Sequence, residues 1–153
     1  MGLDSDIDVD SLLLIVVGAH PKAEVGDRPT AYRLRQRMSA WLEQRFPTPE
    51  SSPLQPLVCT DVWYLNDQSL RDRPAVAVGG PGVNALSAYL ADKLPSAFVI
   101  DDVLMVQMDV EVGELLACCW GMSPEDTSAA VDVFIDRYLD AYMRASLRED
   151  VGA

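Results

Sequence analysis

One stretch of the chain, residues 75–94, constrains the fold more than any other. It opens with four apolar residues, Ala75–Val78, a pattern typical of a strand that is buried on both faces. A turn rich in glycine follows, and apolar residues then recur at helical spacing as far as Leu94. Strand, glycine turn and helix in this order form the first half of a βα unit, so the stretch predicts an α/β fold.

The glycine turn is the first candidate for a binding site. It contains Gly79, Gly80 and Gly82, and Asn84 lies in the first turn of the predicted helix. Glycine lets another group approach the main chain, and a helix start offers free N–H groups and a partial positive charge. Together these features favour a small anionic ligand, such as a phosphate or a carboxylate. The spacing matches neither GxGxxG nor GxxxxGK[ST], so a tight turn that binds nothing is the competing interpretation.

The rest of the chain predicts one sheet with helices around it. Strands are expected at residues 12–17, from 57, at 98–100, 103–110 and 115–120, and helices at 29–45, 83–94 and 124–142. Residues 18–28, 47–56 and 66–73 are predicted loops, while residues 60–65 either extend a strand or form a short helix. Because the last three strands have no helices between them, they should pair antiparallel. We therefore expect a three-layer, Rossmann-like or flavodoxin-like α/β domain, with a mostly parallel sheet and an antiparallel hairpin at one side.

Charge and composition limit the partners. The net charge of −12 argues against nucleic acid and against anionic membrane surfaces. Apolar runs stay below the ~18–20 residues of a membrane span, and the acidic start does not resemble a signal peptide. Three cysteines without a secretory signal predict reduced thiols in the cytoplasm. We expect a disordered acidic segment at 1–10, a single domain at 11–146 and a frayed end at 147–153.

Two segments of the second half resemble a known family. The run VGGPGVNAL at residues 78–86 is followed by CWG at 119–121, EDT at 125–127 and AA at 129–130. Together they resemble the GGPxxN…G…DT…A segment of archaeal S-layer and envelope proteins, over about residues 75–139. The resemblance implies a Rossmann-like sheet with two glycine turns that face one region, and it implies no catalytic residues.

Topology places the candidate site at one rim of the sheet. In an open α/β sheet, ligands bind beyond the carboxyl ends of the parallel strands. The polar and glycine residues expected there are Gly18, His20, Asp27, Arg28, Cys59, Thr60, Asp61, Gly79, Gly80, Asn84 and, if the last strand is parallel, Gly121, Ser123 and Thr127. The residues predicted to bind a ligand are Gly79, Gly80, Gly82, Asn84 and Thr127.

The same rim contains candidate catalytic residues. His20, Cys59 and Asp61 are candidates for a hydrolase or transferase site, because a thiol beside a histidine can act as a nucleophile. A capping surface histidine and a core cysteine are the alternative interpretation. Cys118 and Cys119 should face opposite sides of one strand. CxxC, HxxxH and HExxH patterns do not occur, so no metal site is predicted, and the sequence names no cofactor.

Three functions remain open at this stage. The leading hypothesis is a small cytoplasmic binding or interaction module that holds an anionic ligand at residues 79–84 or a protein partner. The second is the enzyme that would use His20, Cys59 and Asp61, and the third is a structural subunit of a homo-oligomer. Candidates for an exposed interface are Trp41, Trp63, Tyr64 and Trp120. The arginines of the first long helix, Arg33, Arg35, Arg37 and Arg45, either dock an acidic partner or pair with nearby acids.

Overall fold

A computed structural model of the protein describes residues 8–109 and 115–147. The strands in this part of the chain are β1 (Leu12–Val17), β2 (Gln55–Thr60), β3 (Ala75–Val78), β4 (Ser96–Ile100), β5 (Leu104–Met108) and β6 (Leu116–Gly121). The helices are α1 (Pro21–Gly26), α2 (Arg28–Glu43), α3 (Asp61–Asn66), α4 (Gln68–Arg71), α5 (Ala85–Leu90), α6 (Pro124–Arg137) and α7 (Leu139–Ser146).

All the described strands belong to one six-stranded sheet, in the order β2-β1-β3-β6-β5-β4. β2, β1, β3 and β6 are parallel to one another, whereas β5 is antiparallel to both β6 and β4. The predicted α/β class, with a mostly parallel sheet and antiparallel pairing at one side, is therefore confirmed. The turn that the sequence predicts at residues 111–114 lies outside the described residues.

Helices cover both faces of the sheet, and each face has its own apolar core. Alternation along β1 sends Leu13, Ile15 and Val17 to the face covered by α2, α6 and α7, and the other residues of β1 to the face covered by α3, α4 and α5. Cys118 and Cys119 of β6 also face opposite sides of the sheet, as predicted. A strand with both faces buried must be apolar at every position, which explains the unbroken apolar runs of β1 and β3.

The segment between β1 and the long helix differs from the predicted loop. Residues 21–26 form α1, with His20 as its N-cap and Pro21 in its first turn. The ring nitrogen of His20 accepts a hydrogen bond from the Lys22 backbone N–H, and proline suits the first helical position because its missing N–H is not needed there. α2 then begins at Arg28, close to its predicted start.

Four other predictions of element bounds were wrong or left open. Residues 61–66 form α3, because the Thr60 hydroxyl caps the helix by accepting from the Trp63 N–H. The predicted loop at 66–73 contains α4, and α5 ends at Leu90 rather than at 94. The long final helix is divided at Tyr138, whose φ of −126° separates α6 from α7. At the other end of the chain, Val9–Ser11 form a single 3-10 turn.

Candidate functional site

The crevice between the ends of β1 and β3, where the strand order reverses, is closed by the protein itself. The Asn84 side-chain amide donates to the carbonyls of Val16 in β1 and Val78 in β3, both at 3.0 Å. Its oxygen accepts from the N–H groups of Leu86 and Ser87 and so caps α5. Because both ends of the amide bind the backbone, Asn84 is a structural brace, and our prediction of it as a ligand contact is not supported.

Asp61 closes the same crevice from the end of β2. Its carboxylate accepts hydrogen bonds from the backbone N–H groups of Ala19 at 3.0 Å, Val62 at 2.8 Å and Ala85 at 2.7 Å. The N–H of Ala85 belongs to the first residue of α5, so a carboxylate of the chain already occupies the helix start that we predicted for an anion. The buried Asp61 thus ties together the segments that follow β1, β2 and β3.

The main chain fills the remaining space at this crevice. A Cβ atom on Gly18 would lie 1.7 Å from the carbonyl oxygen of Val83, so the turn after β3 packs directly on the end of β1. Only glycine allows this approach.

His20 and Cys59 do not form a catalytic pair with Asp61. His20 is exposed and its Nδ1 atom accepts the capping hydrogen bond from the Lys22 N–H at 3.1 Å. Cys59 is buried, and desolvation raises the pKa of its thiol to about 12, so the reactive thiolate is absent near neutral pH. With Asp61 bound to three amides, this trio gives no support to a thiol nucleophile.

An open cleft lies one strand further along, beyond the ends of β3 and β6. It has a volume of about 680 Å³, which falls within the usual range for small-molecule sites. Its walls come from α1, the turn after β3, the turn after β6 and the first turn of α6, and they are mainly apolar. Val25 of α1 and Met122 of the turn after β6 both line it and are 82% and 68% exposed. Large apolar side chains with this exposure in the walls of a cleft favour an apolar ligand.

The walls of the cleft are held in place by close contacts. A Cβ on Gly26 would lie 2.7 Å from Cγ of Pro124, so α1 packs tightly against the first turn of α6. The Trp120 indole N–H donates to the side-chain oxygen of Gln107 at 3.2 Å, which fixes the ring in the wall. The Gln107 amide donates in turn to two carbonyls that follow α5. The cleft is therefore preformed.

Three of the five predicted ligand residues, Gly80, Gly82 and Thr127, border this cleft. Gly80 and Gly82 line it, and a Cβ on Gly82 would meet nothing within 4 Å. Thr127 also lines it, but its hydroxyl accepts a hydrogen bond from the Gly121 N–H at 3.0 Å, so it supports the wall. The two glycine segments of the second half thus meet at one cleft.

Asp27 is the functional candidate that the sequence interpretation placed on the rim but left out of the site. It lies between α1 and α2, lines the cleft and is only 5% exposed. Its carboxylate makes no hydrogen bond or ion pair with any residue in the described parts of the chain. Desolvation raises its pKa to about 6. A buried carboxyl group without a partner is costly and is typical of a functional site.

Gly79 places the turn directly beside this carboxyl group. A Cβ on Gly79 would lie 2.7 Å from Oδ2 of Asp27, and the φ of +117° is one that other residues rarely adopt. Ser87 fixes the same glycine by donating its hydroxyl to the Gly79 carbonyl at 2.6 Å. The role of Gly79 is thus to let Asp27 approach the turn.

The comparisons with known proteins leave the site to be interpreted from its geometry. The chain matches no family model and no curated protein. Within residues 8–109 and 115–147, His, Cys, Asp and Glu side chains form no group of three or more that could hold a metal ion. In that same part of the chain, no helix is both long and apolar enough to span a membrane. What the cleft offers chemically is an apolar, preformed volume with one buried carboxyl group.

The aromatic residues considered for an oligomer interface are not exposed. Tyr64 is buried, and Trp41, Trp63 and Trp120 are half-buried. Arginines in α2 and just beyond it also bind within the protein: Arg33 pairs with Asp132, and Arg45, which follows α2, stacks on the Trp41 ring at 4.1 Å. The pair between Arg33 and Asp132 agrees with the interpretation that the arginines pair with nearby acids.

Proposed function

We propose that this protein is a small-molecule-binding module whose ligand lies in the cleft between the ends of β3 and β6. The observation that carries the proposal is the buried Asp27 carboxylate, which opens into a preformed apolar cleft and has no partner among the described residues. Natural ligand sites combine a mainly apolar wall with a few polar groups that fix orientation. Asp27 supplies such a group, and the turn at Gly80 and Gly82 gives the ligand access to the main chain.

A thermal-shift screen on wild type and on Gly80→Val tests this proposal. A Cβ on Gly80 would lie 3.7 Å from Cε3 of Trp120, so Gly80 tolerates a side chain, and the valine would occupy cleft volume. The library should contain apolar amines, alcohols and carboxylates together with nucleotides and sugar phosphates. A compound that binds only the folded state raises the melting temperature.

The control is Ser96→Val, which places the same side chain at the start of the edge strand β4, away from the cleft. We expect a compound that stabilises wild type and Ser96→Val but not Gly80→Val. A shift that persists in Gly80→Val, or no shift with any compound, would contradict the proposal.

An enzyme is the second candidate, and Asp27 is the observation that favours it. A carboxyl group whose pKa is raised to about 6 in an apolar cleft has the properties of a general acid or base. This replaces His20, Cys59 and Asp61 as the basis for an enzymatic function. Turnover of a bound compound, lost in Asp27→Asn, would favour the enzyme over the binding module.

A homo-oligomer is a further proposal, and its interface would be the edge strand β4 and not the aromatic residues predicted from the sequence. Val99 and Ile100 on the edge strand β4 are 41% and 46% exposed, and an open strand edge can pair with another chain. Sedimentation at micromolar concentration checks it, since a monomer would remove this role.

We also propose a narrower fold class and a compartment. The order β2-β1-β3 is shared with flavodoxin-like sheets, in which ligands bind at the carboxyl ends, whereas the antiparallel β5 departs from that class. The three free cysteines are all buried, in keeping with our expectation of a reducing cytoplasm. The resemblance to archaeal envelope segments adds no function to this proposal.

A further inference from the structure

From the surroundings of Asp27 we infer that the ligand of the cleft is an organic cation, a protonated amine carried on an apolar body, whose ammonium group pairs with the Asp27 carboxylate. This inference rests on the proposed function, because it names the chemical class of the ligand in the same cleft. It replaces the anionic ligand that the glycine turn alone predicts.

The position of the Asp27 carboxylate restricts the charge of the ligand. Asp27 is buried in the wall of the cleft, and its Oδ2 atom faces the turn after β3, as the 2.7 Å separation from a Cβ on Gly79 shows. Because Asp27 itself lines the cleft, a ligand group that reaches it meets a carboxylate. An anion would be repelled, whereas a cation or a hydrogen-bond donor would be attracted.

The nearby cationic side chains, Arg28 and Lys22, do not neutralise the charge of Asp27. Arg28, the next residue, donates to Glu24 at 3.0 Å and to the Tyr32 hydroxyl at 3.3 Å. Lys22 lines the cleft but is exposed, and in the described part of the chain it forms no ion pair with Asp27. The buried charge in the wall of the cleft is therefore negative, whereas the positive charge of Lys22 is exposed to solvent.

The apolar wall of the cleft restricts the part of the ligand that carries the amine. Val25, Met122 and Trp120 give the cleft an apolar wall, and Pro21, Pro81 and Pro124 extend it. A small hydrated cation would leave this wall in contact with water, whereas an amine on an aromatic or aliphatic body would cover it. Pairing the amine with a carboxylate removes the cost of the buried charge, which strengthens the preference for a charged donor over a neutral one.

A matched set of three probes tests the inference at about pH 8, where the carboxyl group is ionised. 2-Phenylethylamine, 2-phenylethanol and 3-phenylpropionate share the phenyl body and differ in the charge of the polar group. Their dissociation constants are measured by titration calorimetry or by NMR on wild type, Asp27→Asn and Asp92→Asn. Asp92 is exposed beyond the end of α5, so its replacement makes the same change in charge away from the cleft.

We expect the amine to bind wild type at least about tenfold more tightly than the alcohol. Asp27→Asn should remove this preference and leave the affinity for the alcohol within about twofold, while Asp92→Asn should resemble wild type. Equal affinities for amine and alcohol in wild type, an amine affinity unchanged in Asp27→Asn, or tightest binding of the carboxylate would each overturn the inference and leave the cleft as a ligand site. Absence of binding by all three probes at millimolar concentration would overturn the proposed function itself.

Discussion

At the scale of single residues, Asp27 is a source of instability that the fold retains. Burial raises its pKa from 3.8 to about 6, so the folded state holds the proton more tightly than the unfolded state does. The stabilisation from this proton is complete below about pH 3.8 and is lost as the pH rises through about 6. At neutral pH the protein therefore keeps a buried negative charge, which agrees with our proposal that the cleft binds a cation.

This linkage gives a prediction for Asp27→Asn. The variant lacks the titrating group, so it should be more stable than wild type at about pH 8, by roughly 1–3 kcal/mol. Between about pH 8 and pH 5 wild type should gain about 1 kcal/mol relative to the variant. Urea unfolding at both pH values measures this, with Asp92→Asn as the control. A wild type that is the more stable protein at pH 8 would show that Asp27 has a stabilising partner.

Gly79 and Gly80 make a matched pair for a second prediction. Gly79→Ala places a Cβ at a φ of +117° and 2.7 Å from Oδ2 of Asp27, so we expect a loss of about 1–3 kcal/mol in the free energy of unfolding. Gly80→Ala meets only an ordinary contact at 3.7 Å and should stay within about 0.5 kcal/mol of wild type. Denaturant titrations of both variants compare the two positions. Equal losses of stability at both positions would show that the backbone conformation at residue 79 does not require glycine.

At the scale of the elements, Asn84 and Asp61 join strands that no sequence pattern connects. Asn84 bonds the carbonyls of two strands and caps α5 with the same side chain. We expect Asn84→Ala to cost about 3 kcal/mol, because it leaves buried carbonyls and N–H groups without partners. Thr60→Ala removes an ordinary cap of α3 and should cost about 1 kcal/mol. Similar losses for the two variants in chemical denaturation would mean that Asn84 only caps the helix.

The elements also show where sequence patterns were sufficient. The apolar runs of β1 and β3 and the Ser-Pro-Glu-Asp start of α6 are local signals, and the structure has a strand or a helix at each of them. α1 was missed because its single buried apolar residue, Ala23, makes too weak a pattern, although His20 and Pro21 form a recognisable helix start. The break at Tyr138 has no local signal of its own, since the apolar stripe continues through it.

At the scale of the whole molecule, the three cysteines should be unreactive in the folded protein. All three are buried, and desolvation raises the pKa of Cys59 and of Cys118 to about 12 and that of Cys119 above its ordinary value. We expect labelling by a thiol reagent near pH 7 to be slow and to accelerate for all three together on unfolding. Mass spectrometry after timed labelling reads each site separately. Fast labelling of Cys59 alone would contradict this prediction and favour a thiol site at Cys59.

The site was less predictable than the fold, for a physical reason. Topology directed attention to the carboxyl ends of the parallel strands, and Gly80, Gly82 and Thr127 line a cleft there. Which crevice stays open depends on long-range contacts, such as the bonds from Asp61 to Ala19 and Ala85, and these have no trace in the spacing of residues. The burial of Asp27 likewise depends on α1 packing against α6, far away in the chain.

NMR mapping of a fragment that binds is the experiment we would use to decide where this protein holds its ligand. With uniformly labelled protein, we predict that the largest backbone shifts fall on Gly26, Gly80, Gly82 and the residues from 120 to 123, all of which border the cleft. Shifts centred instead on residues 18–20 and 59–61, at the crevice closed by Asp61 and Asn84, would contradict the assignment of the cleft as the site.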